Sequence, residues 1–213
     1  MKCSHVLWDF NGTVLDDVDV GIKAINVLLS RRNMKTLDSL EDYHAHFGFP
    51  IIDYYRKLGF DFEKEPYSEI AVEWVAEYNR FVCGAGLCPG VREAFDSFRM
   101  AGARQIIFSA SEIGMLRGQL EELGISDAFD EVLGCDNIEA HGKTEIGIEW
   151  IKREKPNRAI LIGDTQHDAE SAREMGIECV LVACGHQSDG ELRKLSVPVF
   201  ETLSDAVKYI LAE

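Results

Sequence analysis

Apolar positions follow two different rhythms along the chain. Short unbroken runs occur at His5 to Trp8, Gln105 to Phe108, Ala159 to Ile162 and Cys179 to Ala183, with weaker ones near Glu131 to Leu133 and Val197 to Phe200. Continuous runs of this length suit strands covered on both faces. Between them the apolar residues recur at helical spacing: Val91, Ala94, Phe95 and Phe98 after Pro89, then Ile113, Leu116, Leu120 and Leu123, then Ala169 and Ala172. A last helical stripe holds Leu203, Ala206, Val207 and Ile210, with Thr202 placed as its N-cap. Strands separated by helices predict an α/β fold with a parallel sheet and right-handed crossovers.

One interval breaks that alternation. From Asp16 to about Gly86 the period is helical throughout, and no convincing strand is found. Val18, Ile22, Ile25 and Leu29 mark one stripe; Ala71, Trp74, Val75, Tyr78, Phe81 and Val82 mark another. Shorter helices are expected over Asp38 to Phe47 and Pro50 to Leu58. The pattern predicts an all-helical insertion directly after the first strand. Residues 16–85 would then form a cap domain, and residues 1–15 and 86–213 a discontinuous core. The glycine-rich exit, CGAGLCPG, is placed as the hinge.

Composition narrows the setting. With 46% hydrophobic and 28% charged residues, the 213-residue chain can bury a sizeable core. No apolar run approaches the roughly 18 to 20 residues that a membrane span needs. The N-terminus turns polar after one strand's worth of residues, so a soluble cytoplasmic protein is the expectation. Six cysteines lack any CxxC pair and read as reduced core thiols. A formal net charge of −15 argues against nucleic acid and anionic membranes as partners.

The polar residues at the strand ends then become informative, because ligands of open parallel sheets bind beyond the carboxyl ends of the strands. Asp9 ends the first strand, Ser109 the second and Gly163-Asp164 the fourth, while Lys143 opens the helix before the fourth. Acids, a lysine and a hydroxyl on one edge suit a hard divalent cation holding a phosphate.

On four motifs in order, WDFNGTV, IIFSAS, HGKTEIG and ILIGDTQHDAESAREMG, the chain resembles the haloacid dehalogenase superfamily. More narrowly it resembles the phosphoglycolate phosphatase-like branch with a helical cap, over essentially its whole length. The resemblance implies a Rossmann-like core and a Mg2+-dependent phosphatase of a small phosphorylated metabolite. Asp9 would be the nucleophile, forming an aspartyl phosphate. Mg2+ would be held by Asp9, Asp164 and the backbone carbonyl of Asn11, with Asp168 supporting it. Ser109 and Lys143 would hold phosphoryl oxygens, with Gly12 and Ala110 beside them in the phosphate site.

The family's phosphatases carry a second aspartate where this chain has Asn11. That aspartate protonates the leaving oxygen and then activates water; an amide does neither. Three readings stay open: a slow phosphatase in which a cap group or water carries the proton, a protein that binds phosphate esters without turnover, and a substituted or deamidated position. If only a proton carrier is missing, Asn11→Asp should raise the rate by roughly 10^2 to 10^4. In the cap, YHAHFGFPIIDYYR is the candidate specificity segment: His44 or His46 as proton carrier, Arg56 for a substrate carboxylate or second phosphate. Other branches fit less well. Dehalogenation needs no Mg2+, and phosphonoacetaldehyde hydrolysis needs a cap Schiff-base lysine, for which Lys23, Lys35, Lys57 and Lys64 are the candidates. A sugar phosphomutase depends even more on the missing acid.

Overall fold

The strands β1 (His5–Trp8), β2 (Arg104–Glu112), β3 (Glu131–Cys135), β4 (Ala159–Gly163), β5 (Glu178–Val182) and β6 (Val199–Phe200) form one sheet. The order is β3-β2-β1-β4-β5-β6, and every pairing is parallel. This computed structural model describes residues 3–136 and 143–212; His141 and Gly142 of the lysine motif lie outside the described residues.

Alternation along the central strands explains the unbroken apolar runs. Val6, Trp8, Ile160 and Ile162 enter one buried cluster, while Leu7 and Leu161 enter another on the opposite face. Helices α5 (Val91–Ala101), α6 (Ile113–Glu122) and α10 (Leu203–Ala212) supply Phe98, Leu116, Leu120 and Ile210 to the first face. Helices α7 (Lys143–Glu154) and α8 (Gln166–Met175) supply Trp150, Ala172 and Met175 to the second. The sheet is therefore covered on both sides, as an α/β fold with a Rossmann-like core requires. Trp8 is fully buried yet satisfied, because its indole N–H donates to Gln105 Oε1 at 3.2 Å.

Several boundaries differ from the sequence expectation for local reasons. Strand β2 runs past Phe108 to Glu112, with its register to β3 shifting between those two residues, so Ser109 lies within the strand rather than at its end. Strand β6 begins only at Val199, after Pro198, which has no N–H to give the ladder and accepts from Leu181 N through its carbonyl at 2.9 Å. A single turn, α9 (Asp189–Leu192), capped by Ser188, was not legible from periodicity. Thr202 does cap α10, its hydroxyl accepting from Asp205 N at 3.2 Å. The cysteines are all free; Cys3, Cys88, Cys135 and Cys179 are buried, but Cys83 and Cys184 are exposed and so are not core thiols.

Between β1 and α5 the chain forms α1 (Val18–Arg31), α2 (Leu40–His46), α3 (Ile51–Lys57) and α4 (Tyr67–Phe81). They share a buried cluster that includes Ile25, Leu28, Leu29, Tyr43, Tyr54 and Ile70. Fully burying side chains of the size of Leu28 or Leu29 contributes about 1.5 to 3 kcal/mol each. Arg32 ties α1 to Glu65 and Glu73, and Arg31 reaches Glu73 and Glu77. The two segments joining these helices to the sheet lie side by side: Leu15 bridges Leu87, Asp16 N donates to Gly86 O and Cys88 N to Val14 O, both at 2.9 Å. Among the described residues no helix is long and apolar enough to cross a membrane.

Candidate active site

The chain runs from β1 outward through β2 to β3 and then crosses back over to β4 on the other side of β1, so the loops after β1 and β4 diverge and a crevice opens at the carboxyl edge. Asp9 follows β1 directly and is anchored by its own N–H to Ile162 O at 2.9 Å. Asp164 follows β4, and Asp168 sits in the first turn of α8. Carboxylate oxygens of Asp9, Asp164 and Asp168 lie within 4.8 Å of one another, and all three residues are buried.

Lys143, the first residue of α7, is 3% exposed and donates to Asp9 Oδ1 and, at 2.7 Å, to Asp168 Oδ1. The other oxygen of Asp168 accepts from Thr165 N at 3.1 Å and Thr165 Oγ1 at 2.7 Å, a capping box that fixes the carboxylate as it starts the helix. Asp164 accepts from Thr13 Oγ1 at 2.9 Å and from His186 N at 2.7 Å. Gly12 makes this approach possible: its φ is +75°, and a Cβ there would stand 2.4 Å from Asp164 Oδ2. Ser109 is buried beside them, its hydroxyl accepting from Ser111 N at 3.1 Å.

Burial sets the electrostatics. Desolvation pushes Asp9 well above the ordinary carboxylate range, with the neighbouring Asp168 charge adding to it and Lys143 opposing. Desolvation likewise lifts Asp164 to about 7. At Asp168 burial acts upward too, but the Lys143 ammonium and the hydrogen bonds from Lys143 and Thr165 outweigh it and hold the group low. Lys143 is held charged by Asp168 and Asp9 against its own desolvation. Three buried carboxylates thus face one ammonium. A hard divalent cation fits that donor set, since oxygen ligands are what it takes and its charge offsets the excess.

Asn11 is embedded in a network that sequence reasoning missed. Its amide N–H groups donate to Asp17 Oδ2 at 2.7 Å and Tyr78 OH at 2.9 Å, and its Oδ1 accepts from Ser111 Oγ at 2.9 Å. Asp17, 1% exposed, also accepts from Tyr78 OH, Gly12 N and His186 Nε2. Burial works against a charge on His186, yet the Asp17 carboxylate raises it to about 9. Tyr43 OH meets the other nitrogen of that ring at 2.7 Å. His186 lies in the loop between β5 and α9, so its place on the carboxyl edge was the available signal. Nothing in the period of α1 or α4 marks Asp17 or Tyr78 as polar partners.

The remaining expected residues divide between the cavity and the surface. A cavity of about 220 Å³ opens between the sheet edge and helices α1 to α4, with Asp9, Asn11, Ser109, Ala110, Lys143 and Asp168 on its floor. His46 and Arg56 are not in its wall: His46 Nδ1 turns back to Asp42 O at 2.8 Å, and Arg56 pairs with Asp53 on the exposed side of α3. His44 reaches Gly185 O at 3.1 Å, linking α2 to the core. Lys143 is the lysine in the wall among the described residues; Lys23, Lys35, Lys57 and Lys64 are not.

Comparison with known proteins agrees with this architecture. The family model for haloacid dehalogenase-like hydrolases matches residues 6–182. Phosphoglycolate phosphatase of Rhodobacter capsulatus is 25% identical over 188 residues, covering 85% of each chain. Its Caulobacter vibrioides counterpart is 22% identical, over 86% of this chain and 81% of the relative. Among solved structures, a predicted phosphatase from Clostridium acetobutylicum superposes over 100% of both chains with a TM-score of 0.80 at 18% identity. With the model match spanning most of its length, the chain belongs to the haloacid dehalogenase-like hydrolase family and is phosphoglycolate phosphatase-like within it.

Proposed function

We propose that this phosphoric monoester hydrolase moves the phosphoryl group of a small phosphorylated metabolite first to Asp9 and then to water, with Mg2+ as its cofactor. The observation that supports this reading most is the buried trio Asp9, Asp164 and Asp168 gathered around Lys143 at the sheet edge. Asp9 attacks phosphorus through a carboxylate oxygen, the P–O bond to the alcohol breaks, and the phosphoryl group stays on Asp9 until water displaces it. Lys143 and the Ser109 hydroxyl hold phosphoryl oxygens as charge builds on them. Asp9, Asp164 and the Asn11 backbone carbonyl, with Asp168 in support, would hold Mg2+, which would supply charge neutralisation at those oxygens. Residues 16–85 act as the cap over a core of residues 1–15 and 86–213.

Asn11 has no proton to give the leaving oxygen, and no base to offer the water. Turnover is accordingly slow on alkyl esters and leaves Asp9 phosphorylated for longer. The activity should vanish in excess EDTA and return with added Mg2+; full hydrolysis in EDTA would remove the metal from the account. A second reading is favoured by the complete satisfaction of the Asn11 amide, which is built in rather than strained. In that reading the same site holds phosphate esters without turning them over. Binding of phosphate by a protein that hydrolyses no ester, even with Mg2+, would select it.

A further inference from the structure

The outer part of the cavity carries a chemical signature separate from the phosphate end. Its wall is built from ring faces and edges, among them Phe47, Phe49, Tyr54, Tyr67, Trp74 and Tyr78, contributed by the cap helices and the turn between α2 and α3. Phe49 stacks on His167 with centroids 4.6 Å apart, and Phe47 on His186 at 5.2 Å, so aromatic planes continue across to the core. The whole cavity, phosphate end included, measures about 220 Å³, against roughly 150 Å³ for an apolar protein cavity that holds benzene.

Charge in that wall is already spoken for. Lys143 is shared between Asp9 and Asp168, and His186 is paired with Asp17. The cap arginines Arg31, Arg32, Arg56 and Arg80 pair with carboxylates and stand outside the lining. Among the described residues, a substrate carboxylate or second phosphate would thus meet no free lysine or arginine there. The acids are equally engaged. Asp17 accepts from Asn11, Tyr78, Gly12 and His186, and Glu112 caps α6 by accepting from Gly114 N and Met115 N at 2.8 and 2.9 Å. Among the described residues of the wall, an ammonium group would find no unsatisfied carboxylate either.

Two polar groups in the wall are left wanting. Tyr54 is 3% exposed and its hydroxyl has no hydrogen-bond partner, which is costly unless something arrives to supply one. His167 Nε2, also in the wall, is buried and unpartnered in the same way.

Resting on the phosphatase reading above for the phosphate end, we propose that the cavity selects phosphate monoesters whose alcohol part is an uncharged aromatic ring carrying one hydrogen-bonding group, met by the Tyr54 hydroxyl. The ring stacks on the cap aromatics, and small anionic esters such as phosphoglycolate are poor ligands.

Non-hydrolysable phosphonates separate this proposal from turnover. Titration calorimetry of the full chain with Mg2+ would compare benzylphosphonate, its three ring-hydroxylated isomers, phosphonoacetate and phosphocholine. Benzylphosphonate should bind roughly tenfold or more tightly than phosphonoacetate, the gain expected of ring burial and stacking. At least one hydroxylated isomer should gain a further several-fold, about the value of one hydrogen bond, and Tyr54→Phe should abolish that extra gain. Phosphonoacetate or phosphocholine binding as tightly as benzylphosphonate would overturn the ring assignment. Hydroxylated isomers that never exceed benzylphosphonate would overturn the role of Tyr54. Hydrolysis of acetyl phosphate with Mg2+ is the parallel control. Phosphonoacetate preferred by a protein that hydrolyses acetyl phosphate refutes the substrate class alone. If no phosphonate binds, the proposal fails, and absent hydrolysis would take the phosphatase reading with it.

Discussion

At Asn11 the exchange of one carboxylate oxygen for an amide nitrogen decides which hydrogen bonds can exist. The nitrogen donates to Asp17 Oδ2, so a carboxylate at position 11 would place like charges 2.7 Å apart unless a proton were retained between them. Asn11→Asp should therefore lower folding stability by about 1 to 3 kcal/mol, read from urea denaturation. The swap Asn11→Asp with Asp17→Asn should recover part of that loss, because donor and acceptor are exchanged while the ion pair of Asp17 with His186 is given up. The proton that the single variant needs for catalysis is held toward Asp17, so its gain on an alkyl ester should be smaller than that of the swapped pair. Equal stability for the single variant and the wild type would contradict the network. Asp9 and Asp164 were legible because each directly follows an apolar strand run, and Ser109 and Lys143 because they lie in motifs beside such a run and at a helix start. Asp17, Tyr78 and His186 were not, because their partnership spans chain separations that no local pattern encodes.

Helix α8 shows how an element can serve stability and chemistry through one residue. Thr165 caps it, and the same contacts orient Asp168 toward Lys143. Thr165→Ala should cost about 1 kcal/mol, within the usual 0.5 to 2 for a lost cap, and raise the Mg2+ concentration at half-maximal activity. An unchanged Mg2+ requirement would mean Asp168 is held without the cap. In the cap helices, the hydrogen bond from Arg32 lowers Glu65; Glu73 is lowered by Arg32 and Arg31 in spite of its burial. Carboxylates depressed in the folded state stabilise it above their unfolded value, near 4.5, and lose that contribution as pH falls through the folded value. Thermal melts should thus show stability declining from about pH 4.5 downward, and Glu73→Gln should flatten the decline. A Glu73→Gln slope identical to the wild type would remove the arginine network from acid unfolding. Helix positions were well marked by apolar period, since burial on one face dictates it. The ends of β2 and β6 were not, because a bulge and a proline act on hydrogen bonding rather than on hydrophobicity.

Over the whole molecule, the cap meets the core through specific contacts that include Tyr78 to Asn11 and Asp17, Tyr43 to His186, His44 to Gly185, and Phe47 and Phe49 stacked on His186 and His167. These contacts lie near the carboxyl edge of the sheet, while the connecting segments meet through the bridge of Leu15 to Leu87 and the bonds from Asp16 N to Gly86 O and Cys88 N to Val14 O. Gly84, at φ +123° with no heavy atom near its missing Cβ, is the open point of that connection. A phosphate mimic with Mg2+ should slow limited proteolysis between Gly84 and Gly86, and unchanged cutting at saturating ligand would argue against a cap that closes. In the proposed chemistry, Asp9 would take the phosphoryl group and Asn11 would leave it there. The most direct test of that chemistry is acid-quenched mass spectrometry of the Mg2+-loaded protein mixed with acetyl phosphate. The account predicts one phosphoryl adduct mapped to Asp9, accumulating in the wild type and absent from Asp9→Ala. Sustained hydrolysis with no adduct, or an adduct mapped to any other residue, would contradict it.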